Sequence, residues 1–267
     1  MTTLIVPLDG SLDAELALPH ARALAGGDPV VLMTAIWRGE PVAPRRYLEA
    51  RATQLVGEPV HTHVSMDDRP AQAIAMLAQA ESPSLICMAT HGRNAVSQAV
   101  LGSTAEAVMR TTTEPVLLIG PNAPYQRDRA DAGNLVVAVD GPETAEAIVP
   151  VAAGFAEHHH LHLWTVQVIP PAPFPFVADA DVPSQPDHGP GVDAAVATLT
   201  REHLTTETKL LIGIEPADAI VKFALELPAS IVVVGNHARH GLARIALGST
   251  AMRVVHRSPC PVLVVRQ

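Results

Sequence analysis

The chain has 267 residues, enough for two domains that each bury a core, and 48% of them are hydrophobic against 3% aromatic, so those cores must be aliphatic. A formal net charge of −9 and the lack of a basic run argue against a nucleic-acid binder. No apolar run reaches the ~18–20 residues of a membrane-spanning helix, and Thr2-Thr3 leads into the strand-like Leu4-Ile5-Val6 without a secretory signal. The two cysteines, Cys87 and Cys260, are too few for a disulfide framework and read as buried, inert thiols. A cytoplasmic location, with no membrane or nucleic-acid partner, is the expectation.

Residues 4–8 form a short apolar run that ends in Asp9-Gly10-Ser11, and residues 12–24 follow with helical periodicity. Strand patterns at 30–36, 61–65, 85–89 and 116–119 alternate with helical ones at 44–55, 71–79 and 105–110, the last capped by Ser103 or Thr104. The second half runs in the same order. Residues 135–139 end in Asp140-Gly141-Pro142, strands follow at 161–168, 209–212, 231–234 and 262–265, and 217–227 is helical. Such alternation predicts an α/β fold: two tandem domains, each a five-stranded, mainly parallel sheet flanked by helices.

The halves are copies. HGRNAVSQAVLGSTAEAVMR from His91 returns as HARHGLARIALGSTAMRVVH from His237, a shift of 146 residues (237 − 91) that also carries Pro115-Val116-Leu117 onto Pro261-Val262-Leu263. The repeats are expected at residues 1–120 and 134–267, joined by a linker at 121–133. Asp9 and Asp140 differ by only 131, so the second copy holds 15 extra residues (146 − 131), expected in 169–191. That stretch contains Pro170, Pro171, Pro173 and Pro175 and reads as a mobile surface loop, dispensable for folding. The apolar runs at 116–119 and 262–265 would be exposed edges unless they pair with each other.

Gly102-Ser103-Thr104 and Gly248-Ser249-Thr250 each stand where a helical pattern begins after an apolar strand. Backbone N–H groups at a helix start attract anions, and glycine permits close approach. On these residues the chain resembles the universal stress protein family, over nearly its whole length and twice. The family's hallmark is a strand followed by G-x2-G-x9-G-[S/T]. The first repeat offers Ala89, Gly92, Gly102 and Ser103; the second offers Gly235, Ala238, Gly248 and Ser249. Each departs at one glycine, and at a different one. If that glycine needs positive φ, alanine costs about 1–2 kcal/mol; if it only admits a ligand, the methyl intrudes.

The resemblance implies a Rossmann-like, adenine nucleotide α-hydrolase-like fold and ATP, with or without Mg, as cofactor. It assigns Asp9 and Asp140 to ribose hydroxyls; helix capping is their other reading. Ala35 and Val166 align with the position whose backbone meets adenine, and Met88 and Val234 flank the nucleotide. Ser103, Thr104, Ser249 and Thr250 would bond phosphate or cap their helices, and Arg93 and Arg239 would meet phosphate or solvent. His91 and His237 read as structural, since no nucleophile or orienting group is spaced around them. The run His158-His159-His160 with His162, and the pair His61 and His63, lack the Cys or acidic partners of a metal site. No Walker A loop is present.

The implied function is a stress-response regulator that binds ATP in at least one repeat without strong catalysis. Its partners would be adenine nucleotide and an unidentified protein, and its two repeats would form an intramolecular pseudo-dimer, with a homodimer as a further assembly. The alternatives are a protein-interaction module with decayed nucleotide sites and a slow ATP-hydrolysing enzyme.

Overall fold

The computed structural model describes residues 2–90, 101–120, 123, 133–171, 189–201, 204–228, 230–236 and 248–266. The first half holds strands β1 (Thr3–Pro7), β2 (Val30–Ala35), β3 (Val60–Ser65), β4 (Ser84–Ala89) and β5 (Val116–Ile119). Its helices are α1 (Leu12–Glu15), α2 (Ala17–Ala25), α3 (Val42–Ala52), α4 (Pro70–Ala80) and α5 (Ser103–Thr111). The second half holds β6 (Asn134–Ala138), β7 (His162–Ile169), β8 (Glu207–Ile212), β9 (Ser230–Asn236) and β10 (Val262–Arg266). Helices α6 (Pro142–His158), α7 (Pro190–Arg201), α8 (Pro216–Glu226) and α9 (Ser249–Arg257) complete it.

The central strands are apolar without alternation because both their faces are covered. Leu4, Val6 and Leu8 pack among Leu18, Leu24 and Leu48 of α2 and α3. Ile5, between them, turns to the other layer with Ile74 of α4 and Val108 of α5. The same division runs through the second half, with α6 and α7 on one face and α8 and α9 on the other.

All ten strands belong to one sheet, in the order β3-β2-β1-β4-β5-β10-β9-β6-β7-β8. Every neighbouring pair is parallel except β5 with β10, which meet antiparallel through Val262↔Leu118, Leu263↔Leu117 and Val264↔Val116. The two apolar edges expected to pair do so, and each core cluster continues across the seam. The antiparallel join also sets the carboxyl ends of the first repeat's strands at the opposite edge of the sheet from those of the second.

Three expectations about loops and helices needed correction. The insertion does not run unbroken through 169–191: Ile169 pairs with Ile212 in β7–β8, and Pro190 and Gly191 begin α7. Residues 172–188 lie outside the described residues, as does most of the 121–133 linker. The helix after the first strand is continuous only in the second repeat. Pro19 and Pro150 occupy matching positions 131 apart, yet the first helix breaks at Leu16, between α1 and α2, while α6 carries Pro150 inside it. A helical proline removes one hydrogen bond and crowds the preceding turn; in the first repeat Leu16 N–H turns instead to Asp13 O, three residues back. Finally, Gly102 and not Ser103 or Thr104 holds the capping position of α5.

Candidate functional site

In each half the strand order reverses beside the first strand: β2 and β3 lie to one side of β1, β4 and β5 to the other, and β6 sits likewise between β7 and β9. The crevice at the carboxyl ends of such strands is where open α/β sheets bind ligands. Asp9 follows β1 there, beside the Leu8 N–H that donates to Met33 O at 2.8 Å. Met88 and Ala89 end β4, and Thr90 N–H continues the ladder to Ile119 O at 2.9 Å. The Gly102 N–H then donates to Thr90 O at 2.7 Å, so the chain that leaves β4 returns to that carbonyl to begin α5.

Gly102 adopts φ −58° and ψ 140°, and Gly248 φ −56° and ψ 154°. Any residue reaches these angles, so neither glycine is held by left-handed backbone. Neither makes a side-chain cap, and each is followed by exposed first-turn serine, Ser103 or Ser249, then by Thr104 or half-buried Thr250. Ala89 sits inside β4 as Gly235 sits inside β9, where alanine carries no backbone penalty. Gly92, Arg93, His91, His237, Ala238 and Arg239 lie outside the described residues.

The two aspartates differ in their surroundings. Half-buried Asp9 accepts from Ser11 N at 2.9 Å and from Ser11 Oγ at 2.6 Å, while Ser11 Oγ accepts from Ala14 N at 3.1 Å and so caps α1. The cap is Ser11, and Asp9 is one step behind it. Gly10 between them has φ 83°, which a side chain would strain. Asp140 is exposed, its Oδ1 accepts from Thr144 Oγ1 one turn into α6, and Gly141 is extended.

Register corrects one alignment. Leu8 N–H meets Met33 O as Val139 N–H meets Val166 O, so Val166 is the counterpart of Met33 and Val168 that of Ala35. Val166 is wholly buried in the core, whereas Ala35 and Val168 are both half-buried beside it. Met88 and Val234 lie in that same layer, under α5 and α9.

Two features escaped the sequence reading. Gln167, buried in β7, accepts from Gly191 N–H at 2.9 Å and seats the start of α7 against the end of β6. The fit is close: a Cβ on Gly189 would stand 2.3 Å from Gln167 Oε1. The second is Asn236, 2% exposed at the end of β9, whose Nδ2 donates to Met109 O in the other repeat at 3.3 Å. A polar residue closing the apolar run Ser230–Asn236, 146 positions after Thr90, was the available signal.

His158 Nε2 lies 2.5 Å from Asp28 Oδ2, joining the ends of α6 and α2 across the repeats, and its ring meets that of His159. Among the described residues no three His, Cys, Asp or Glu side chains converge on a metal-sized site. Burial pushes the Cys87 thiol up to about 12, and its Sγ lies 3.8 Å from Ala17 O. Cys260 is only partly buried, against expectation, and its thiol is raised by desolvation. No helix among the described residues is long and apolar enough to cross a membrane.

The sequence pattern of the Universal stress protein family matches residues 1–120 and again 132–266. The chain belongs to that family. A universal stress protein of Thermus aquaticus is 31% identical over 136 residues, 49% of this chain and 97% of that protein. The crystal structure of a universal stress protein from Archaeoglobus fulgidus, 16% identical, shares the fold with a TM-score of 0.70 over 99% of this chain and 98% of that one. A shorter Archaeoglobus fulgidus universal stress protein, 27% identical and matching 50% of this chain and 97% of its own at a TM-score of 0.37, was solved in complex with dAMP.

Proposed function

We propose that this family member is a cytoplasmic stress-response regulator that binds ATP in at least one repeat, the first more tightly, and performs no strong catalysis. One observation carries the reading. Asp9, Met88, Ala89, Gly102 and Ser103 come from three separate stretches of chain and stand at or next to the carboxyl ends of β1 and β4, where the strand order reverses. A carboxylate there suits ribose hydroxyls, and the uncapped start of α5 suits phosphate, since its first N–H groups lack intrahelical partners. ATP would bring its Mg largely coordinated by its own phosphates and water, so no protein cage is required. Repeats at residues 1–120 and 134–267, linked by 121–133, are part of the same proposal.

The interaction-module reading finds its support in the second repeat, where Thr144 engages Asp140 and α7 presses on the end of β6. Native mass spectrometry of the purified protein, followed by calorimetric titration with ATP, separates the two. The nucleotide reading expects at least one ATP per chain. No co-purified nucleotide and no heat of binding would leave the interaction module.

A further inference from the structure

β9 is apolar from Ile231 to Val234, and the period of two that turns Val232 and Val234 toward α5, α8 and α9 turns Asn236 the same way. A carbonyl can only accept, so the amide must offer Nδ2 to Met109 O, which fixes its orientation. Asn236 Oδ1 is then left buried with no hydrogen-bond partner. An acceptor removed from water and left unmatched is destabilising, so Oδ1 calls for a donor that the described chain does not supply. In the first repeat Gly102 N–H latches onto the carbonyl of the matching residue, Thr90, whereas among the described residues no such bond joins Gly248 to Asn236.

We propose that Asn236 is the residue through which the second repeat reads a hydroxyl- or amine-bearing part of its ligand and couples it to the first repeat. The inference rests on the nucleotide reading above. Oδ1 receives a hydrogen bond from the ligand at the carboxyl end of β9, so the group it reads is a ribose hydroxyl or an adenine amine and not a phosphate oxygen, which offers no proton. Nδ2 simultaneously holds Met109, near the C-terminal end of α5, and the other end of that helix opens the first site. α5 is nine residues long, about 13 Å, so one rigid element reaches from one candidate site to the other. Coupling of this kind is reciprocal: each site shifts the affinity of the other by the same factor.

The test titrates the full chain with AMP and, separately, with tripolyphosphate at pH 8, for wild type, Asn236→Thr and Asn236→Ser, each checked for folding by circular dichroism. Threonine is the residue the first repeat already carries at this position. The expected result is a loss of about tenfold in AMP affinity at the second site in both variants, with tripolyphosphate binding unchanged. Hydrogen exchange at residues 108–111 of wild type should slow when AMP fills the second site, which reports the coupling even if a variant misfolds. Equal AMP affinities in wild type and variants, a parallel fall for tripolyphosphate, or unaltered exchange in α5 would each overturn the inference. A wild-type chain that binds no AMP would instead overturn the nucleotide reading, and this inference with it.

Discussion

Both repeats end their first strand on Asp-Gly and then diverge. After Asp9 the chain turns through left-handed Gly10 to Ser11, which holds the aspartate with two hydrogen bonds and caps α1. After Asp140 it stays extended through Gly141 and enters α6 at Pro142, which has no N–H to offer, so the carboxylate meets Thr144 a turn later. The first arrangement holds a half-buried carboxylate at the carboxyl end of β1; the second leaves it exposed beside the start of its helix. A duplicated motif therefore does not imply duplicated chemistry. The residue two places after the aspartate decides how the carboxylate is held.

The sharpest way to break the comparison is to ask whether the repeats are independent at all. Leu117 and Leu263 face each other across the β5–β10 seam, and both are wholly buried. Leu117→Ala or Leu263→Ala should each cost about 2–5 kcal/mol, measured by urea unfolding. A single transition in each variant is expected, because the core is continuous across the seam. Two separated transitions would show that the halves unfold alone.

Next in size is the ranking of the sites. Asp9→Ala should remove the tighter ATP site, a loss of at least about tenfold or 1.4 kcal/mol by calorimetry, while Asp140→Ala should leave that site in place. The reverse outcome would mean that Gly235 matters more than Ser11 and the retained Gly92. Ser11→Ala sharpens the point. It removes both the α1 cap and the partner of Asp9, and should cost about 1 kcal/mol of stability along with part of the nucleotide affinity. If affinity is untouched, Ser11 serves the helix alone.

The architecture was legible because the central strands are short apolar runs separated by helical patterns, and because the repeat offered each reading twice. The register of β7 was not. Leu163, Trp164, Val166 and Val168 are apolar with Thr165 and Gln167 between them, and nothing in that pattern distinguishes Val166 from Val168 until Val139 N–H selects Val166 O. The start of α7 was hidden behind proline-rich sequence, since Pro190-Gly191 resembles a turn until Gln167 supplies the contact that fixes it. Asn236 stood out only as a polar residue closing an apolar strand, and nothing local to it pointed to a partner 127 positions away. The motif led to the carboxyl ends of the strands, while long-range hydrogen bonds decided how Gln167 and Asn236 are held there.

The smallest expected effect concerns the helices beneath the two sites. His20 of α2 is 8% exposed, while Val151, 131 positions on in α6, is 38% exposed. Desolvation lowers the His20 pKa below its usual value of 6.5, and a hydrogen bond to the Ala123 backbone opposes that only in part. The folded chain therefore refuses a proton that the unfolded chain accepts. Its stability is complete above pH 6.5 and declines as the pH falls below that value, because protons then favour the unfolded state. Melting temperatures at pH 7.5 and pH 5.5 should differ more for wild type than for His20→Gln, in which a neutral amide replaces the imidazole. An equal difference in both proteins would locate the acid sensitivity elsewhere. The second repeat, with Val151 at this position, has no counterpart to lose.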